Sequence, residues 1–565
     1  MPAFQNPVLP GCHPDPSVVR VGAEYFLVTS SFGYFPGIPV HRSTDLVTWE
    51  LVGHVLTRPE QAPLAGLDVN DGVWAATIRH HAGVFYVVAT VASGRRGAST
   101  FVATATDPAG PWSDPVPLEA EGIDPSLFVD ADGRCWFTAT RDAPEPAVTG
   151  PAELWLRELD LDTLRLTGPE HVLWHGALRG AWVEGPHLYL RDGRYWLIAA
   201  EGGTERNHAV TAASAPAVTG PYVTDPRSPL LTHRHLGPGH PVQNVGHADL
   251  VDTPDGATWA LTLGVRPVDG AHTLGREAFL VPVEWTERGP VFAPGTGTVP
   301  LAGTTERGAE VGGAGAGGAG AGGAGAGGAG APAPGTGDVE SLALGQPLAA
   351  QGWSSLRGPV DHLVRPVTGG DGGAALELTP SPEPLHGTGT PAFVARRQQH
   401  VRFRATCRLR FATTSSGEEA GLAVLLHQQR VATLALSAGP DGQPEARLRM
   451  RTGDAVAELG AVAVPAGPVE LAVTGDEQAY RFAATLPGGE ARALGDVPRT
   501  AFATETAGGF LGVHLGVYAH ADGEPTGARA VVEHVAYEPG AAPSGGAGTE
   551  AGAPVGDAAL AGLPG

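Results

Sequence analysis

Five short apolar runs punctuate the first half of the chain, and each begins in the same way. They are GAEYFLVTS from Gly22, GVFYVVATV from Gly83, GRCWFTATR from Gly133, GRYWLIAAE from Gly193 and GATWALTLG from Gly256. Each has an aromatic residue three positions after its Gly: Tyr25, Tyr86, Trp136, Trp196 and Trp259. Short apolar runs bounded by turn residues read as strands, and most of these glycines close turn-like sequences such as DADG, LRDG and TPDG. The glycines stand 61, 50, 60 and 63 residues apart. A repeat of this length, made of hairpins, predicts a radial array of small sheets, a β-propeller of five blades.

The same register selects a second set of positions upstream. Nine residues before the last four glycines lie Trp74, Asp124, Glu184 and His247, and seven before Gly22 lies Asp15. In a propeller, equivalent positions of successive blades surround one axis. These five residues are therefore expected to converge on a central pocket. The tripeptide DPS occurs at both 15–17 and 124–126 because the two copies occupy one blade position.

Beyond residue 305 the pattern changes. Residues 312–330 are almost wholly Gly and Ala, followed by APAPGTG. Such a segment buries too little apolar surface to offset its ordering entropy, so 306–337 is expected to be a flexible linker. Residues 338–540 return to short alternating runs, RFRATCRLRFA and LAVLLHQQRVATLAL among them, as in the antiparallel strands of a β-sandwich. The Gly- and Ala-rich tail, 541–565, is expected to be disordered. The fold class is thus all-β, with a propeller over 1–305 and a sandwich over 338–540.

Composition narrows the functions. The formal charge is −23 and no basic run stands out, which argues against nucleic acid and anionic membranes and favours a neutral ligand. There is no lysine, which excludes a P-loop lysine and Schiff-base chemistry. Cys12, Cys135 and Cys407 are too few and too distant for a disulfide framework or a zinc site, so they are expected to be buried thiols. The start, MPAFQNPVLPG, lacks a basic then apolar leader, and no apolar run approaches the roughly 18 residues of a membrane helix. A cytoplasmic location is the expectation.

Three carboxylates, an indole and an imidazole around one pocket suit glycosidic bond cleavage. One carboxylate must be ionised to activate water or attack carbon, and one must be protonated to help the leaving oxygen depart. A third can keep the acid protonated by its charge. A hard cation held by one His and scattered carboxylates is the rival chemistry, but no His-x-x-x-His or Cys-x-x-Cys spacing supports zinc. A propeller that binds sugar without cleaving it is a further alternative.

The same residues carry a resemblance. The opening NPVLPGCHPDPSVVRVGAEYFLVTSSFGYFPGIPVHRSTDLVTWELVG resembles β-xylosidases of glycoside hydrolase family 43. So do DGVWAATIRHHAGVFYVV, GIDPSLFVDADGRCWF, WVEGPHLYLRDGRYWL, GHADLV and LGREAFLVPVEW, together spanning most of residues 5–290. QGWSSLRGP, ARRQQH and EAGLAVLLHQQ are similar to the C-terminal, concanavalin-like sandwich of that branch. The resemblance implies a five-bladed propeller and hydrolysis with inversion, removing xylose from the non-reducing ends of β-1,4-xylo-oligosaccharides. It also implies α-L-arabinofuranosidase activity as the alternative, since many relatives show both. It assigns Asp15 as general base, Glu184 as general acid and Asp124 as the residue that orients Glu184 and raises its pKa. It sets Phe32, Trp74, His247 and Arg276 around the terminal sugar. No cofactor is expected to be required, although in some relatives a calcium ion sits in the channel near the His corresponding to His247. Dimers or tetramers are expected by family analogy. The chain departs from the family pattern in reading GVWAA rather than GVWAP, and GGFLGVHLGVYA in the sandwich, where the aromatic sent to the pocket is Phe510 or has become His514.

Overall fold

A computed structural model describes residues 3–305 and 340–540, apart from 95, 96, 179, 371, 414, 416 and 524–526. The linker expected over 306–337 and the tail expected over 541–565 lie outside the described residues.

The N-terminal half forms five four-stranded antiparallel sheets, in chain order. Their first strands are Ser17–Val21, Gly72–His81, Ile123–Val129, Val183–Arg191 and Gln243–Asp252. Each neighbours the next, and the fifth returns to the first, so the ring is closed. The second strand of every sheet begins just after one of the repeat glycines. Gly22, Gly83, Gly133, Gly193 and Gly256 all have left-handed backbones, with φ between +63° and +85°, as tight hairpins demand. The aromatic three residues later is buried in each case. Separate apolar clusters fill the five gaps between successive sheets. Tyr86 packs with Leu127 and Phe137, Trp136 with Leu188 and Leu197, and Trp259 with Tyr25 and Leu27. Truncating one of these aromatics to Ala would cost about 3–5 kcal/mol. The N-terminus secures the closure. Ala3–Gln5 pairs with Ala302–Thr304, and the Asn6 amide donates to Leu280 O and Pro300 O, both at 2.8 Å.

The C-terminal half is two packed sheets of eight and six strands. Strand Phe403–Phe411 illustrates how the alternation works: Phe403, Cys407 and Leu409 point into the core while Arg408 and Arg410 are exposed. All three cysteines are free and buried. No described helix is long and apolar enough to cross a membrane.

The two halves share one interface. Ser355–Leu356 of the sandwich pairs with Tyr34–Phe35 of the first half. Sandwich arginines donate to loop carbonyls of the first half: Arg357 Nε to Leu67 O at 2.7 Å, Arg397 Nε to Cys12 O at 2.7 Å and Arg499 Nη1 to Ala271 O at 2.9 Å. A loop approaching Phe510 is fastened at both sides, by His272 Nδ1 with Glu505 at 2.6 Å and by Val513 N to Thr273 O at 2.8 Å. These contacts bring the sandwich to the mouth of the central pocket.

Candidate active site

In four of the five sheets the first strand breaks its regular pairing near its inner end, while Asp15 lies just ahead of the regularly paired first strand of the first sheet. Register shifts fall between Trp74 and Thr77, Ile123 and Ser126, Glu184 and His187, and Gly246 and Ala248. A residue with positive φ accompanies each ring position. Asp15, Asp124 and His247 have φ of 55°, 54° and 48°, and beside Trp74 and Glu184 the turn is taken by Ala75 at 39° and Gly185 at 57°. Such bulges re-aim a side chain, here towards the axis. At Gly185 a side chain would also be obstructed, because a Cβ would lie 3.0 Å from the His247 ring. That accounts for the Gly in VEGPH.

The bulges gather one cavity of about 310 Å³. Asp15, Asp124, Glu184, Phe32, Trp74, His247, Arg276 and Phe510 all line it, so every sequence-predicted site residue reaches the pocket. His514 does not. It is buried in the interface, stacked on Tyr34 with ring centroids 3.9 Å apart. Phe510 is therefore the aromatic from the sandwich. It is 39% exposed, with its ring centroid 5.8 Å from that of Trp74, and its N–H donates to Asn70 Oδ1 at 2.9 Å. Trp74 is oriented by its indole N–H, which donates to Asn70 O at 2.9 Å.

The carboxylates differ in environment. Asp15 is buried, and burial alone would raise its pKa. Arg276 Nη1 donates to Oδ1 at 3.0 Å, His247 Nδ1 lies 3.6 Å from the same oxygen, and Ser30 Oγ donates to Oδ2 at 2.6 Å. Together these hold Asp15 below the ordinary aspartate range, hence ionised. Glu184 keeps part of its surface open to the pocket. Desolvation first, then the charge of Asp15, pushes it up to about 7, against Arg276. Asp124 is raised as well, by burial, then by Glu184 and Asp15. Asp124 and Glu184 are thus both held above the ordinary carboxylate range, and their titration belongs to the pair. Glu184 disfavours ionisation of Asp124, while the charge that raises Glu184 itself is chiefly that of Asp15.

Trp182, Thr204, Glu205 and His208 also line the cavity, and the repeat did not select them. Thr204 accepts from Arg276 Nη1 at 3.2 Å. They come from residues flanking the second strand of the fourth sheet or from near Glu184, where no repeated signal marks them.

Near His247 the carboxylate oxygens of the channel are bonded to protein donors. Calcium takes six to eight oxygen ligands. Among the described residues no group of three His, Cys, Asp or Glu side chains could hold a metal. Two residues along the strand from His247, both oxygens of Asp249 are already engaged. Oδ1 accepts from Tyr189 at 2.7 Å and from Arg79 Nη2 at 3.2 Å. Oδ2 accepts from Ser17 Oγ at 2.7 Å, Val18 N at 3.0 Å and Arg79 Nη1 at 2.8 Å.

Both halves of the chain have known relatives. Residues 4–291 match the family described as Glycosyl hydrolases family 43, and residues 346–538 match the Beta xylosidase C-terminal Concanavalin A-like domain. The chain is 34% identical over 529 residues to a xylosidase/arabinosidase of Butyrivibrio fibrisolvens, covering 92% of this chain and 96% of that one. It is 34% identical over 530 residues to a non-reducing end alpha-L-arabinofuranosidase of Bacteroides ovatus, covering 92% of each. Its fold superposes on a xylan beta-1,4-xylosidase of Bacillus halodurans with a TM-score of 0.83 at 29% identity, over 95% of this chain and 100% of that one. Similarity that runs through both domains, at this identity, makes the chain a member of glycoside hydrolase family 43.

Proposed function

We propose that this protein is an inverting exo-β-xylosidase, in which the five sheets are the blades of one propeller around the reacting groups. Its substrates are short β-1,4-xylo-oligosaccharides, from which it releases xylose at the non-reducing end. The observation that carries the reading is the unequal setting of three carboxylates lining one pocket: Asp15 held down by Arg276, Asp124 and Glu184 both raised. Asp15 accepts a proton from water as its oxygen bonds to the anomeric carbon. Glu184 delivers its proton to the departing glycosidic oxygen as that bond breaks. Asp124 keeps the proton available to Glu184. Arg276 and His247 fix Asp15, while Trp74, Phe32 and Phe510 offer apolar faces to a sugar ring.

Exo action follows from the shape. Further along the same first strands, the side chains of Arg79, Asp249 and His187 are bonded to one another and leave no part of themselves in the cavity lining. The pocket's volume lies at the small end of the roughly 300–1,000 Å³ typical of ligand sites, which suits the end of a sugar chain. Inversion follows from family membership. α-L-Arabinofuranosidase action is the second reading, supported by the names of the Butyrivibrio and Bacteroides relatives.

The test is a proton NMR time course with xylotriose. α-Xylose appearing first, then relaxing to the β form, is the expected result. β-Xylose appearing first would make Asp15 a nucleophile and overturn the mechanism. Arabinofuranosides cleaved while xylotriose survives would select the second reading. Binding of either sugar without cleavage would select a sugar-binding propeller.

A further inference from the structure

One side chain, 18% exposed, lies on one first strand and bonds to the other four. Arg79, on the second sheet, donates from Nη1 to Ser17 Oγ on the first at 3.2 Å. Its Nε donates to Leu127 O on the third at 3.1 Å, and its Nη2 lies 2.9 Å from His187 Nδ1 on the fourth. Nη1 and Nη2 together grip Asp249 on the fifth, at 2.8 and 3.2 Å. Three further bonds close the network: Tyr189 OH to Asp249 at 2.7 Å, Ser17 Oγ to Asp249 at 2.7 Å, and Ser126 Oγ with His187 Nδ1 at 2.9 Å.

The register relates this hub to the catalytic ring. Ser17, Ser126 and Asp249 each follow a ring residue by two positions: Asp15, Asp124 and His247. His187 and Arg79 follow Glu184 and Trp74 across the bulges. The hub is therefore the next layer of side chains down the same five strands. It is also charge-balanced, because Asp249 is held far below the ordinary aspartate range by Arg79 despite its burial.

We propose that Arg79 is a positioning residue, its guanidinium serving as the built-in cation of the channel that registers the five strands beneath Asp15, Asp124 and Glu184. A planar fork with five donors reaches several acceptors at once, which a spherical ion does only with many oxygens. The Asp249 oxygens that would draw a metal into this layer are all bonded to protein donors. This assignment rests on the reading of the three carboxylates as the reacting groups.

The experiment uses the full chain and three forms. Arg79→Gly is expected to lower kcat on an aryl xyloside by about 10²-fold with little change in KM, because ångström-scale misplacement of reacting groups has that effect. Millimolar guanidinium chloride should restore at least a tenth of the lost rate and raise the variant's melting temperature, while leaving the wild type unchanged. Arg79→Lys keeps the charge without the fork, and it should fold and lose about tenfold in kcat. Calorimetric titration of chelator-treated wild type with Ca²⁺ should give no binding heat.

The proposal is overturned if soluble Arg79→Gly keeps wild-type kcat, or if guanidinium restores neither rate nor melting temperature. If Arg79→Gly is insoluble, Arg79→Lys decides: a wild-type kcat overturns the proposal and a kcat-selective loss supports it. Stoichiometric Ca²⁺ binding by the wild type also overturns it. The Ca²⁺ and melting readouts do not depend on which glycoside is cleaved, so they separate failure of this assignment from failure of the functional reading.

Discussion

Replacing Glu184 with Gln removes one exchangeable proton donor while keeping nearly the same volume in the pocket. The structure supplies the magnitude. With Glu184 raised from 4.5 to about 7, roughly nine-tenths of it is protonated at pH 6. At an unshifted 4.5 only about 3% would be, so the pocket enriches the acid form about 30-fold. General acid catalysis contributes about 10²–10⁴-fold when the leaving group is poor. Glu184→Gln should therefore lose about 10²–10⁴-fold in kcat on xylobiose, whose leaving group is a sugar hydroxyl. On an aryl xyloside with a strongly acidic phenol, which departs without a proton, the loss should be under about tenfold. The wild-type rate on xylobiose should fall as pH rises through about 7, where the proton leaves the Glu184–Asp124 pair. That alkaline limb should vanish when the variant acts on the activated substrate. Initial rates on both substrates across the pH range test this. Equal losses on the two, or an alkaline limb that survives, would refute the assignment of Glu184 as the acid.

Three further outcomes are expected. Asp15→Ala should be nearly inactive on every substrate, since no leaving group replaces the base; substantial turnover on the activated xyloside would remove Asp15 from that role. Phe510→Ala should raise KM on xylobiose by about two- to tenfold, the equivalent of an aromatic contact of about 0.5–1.5 kcal/mol, with the melting temperature nearly unchanged because the ring is 39% exposed; an unaltered KM would show that the sandwich does not contact the sugar. Acid should loosen the domain interface. His41 and His514 are pushed down to about 3 by burial and then by Arg397, so the unfolded chain, with histidines near 6.5, binds more protons below that pH. Stability is then full above about 6.5 and falls as pH drops towards 3, by about 2 kcal/mol per histidine at pH 5. A melting temperature flat between pH 6.5 and 5 would contradict this.

Much of the site was legible in the sequence because the repeat makes position informative. A Gly, an aromatic three residues on and an apolar run are local features, set by hairpin geometry and by the gap each sheet must fill. Counting back from the Gly therefore found Asp15, Trp74, Asp124, Glu184 and His247 without any tertiary information. The resemblance added Phe32, Arg276 and the Phe510 segment, which the repeat does not mark. The alternation in RFRATCRLRFA likewise announced a strand with one face in a core.

Other features were decided only by the tertiary structure. Whether Phe510 or His514 enters the pocket depends on how the sandwich seats against the loops around Asn70 and Thr273, and packing of His514 on Tyr34 settles it. The Arg79 hub joins residues up to 232 positions apart, Ser17 and Asp249 among them, and closes only when the fifth sheet meets the first. The protonation of the three carboxylates is also collective: Asp15 and Asp124 stand in identical tripeptides, yet one is held ionised by Arg276 and the other is raised by burial and by Glu184. Local sequence determines which side chain each strand presents to the axis. Its charge is set by neighbours brought in from other strands, because Coulomb interactions and desolvation act through space and not along the chain.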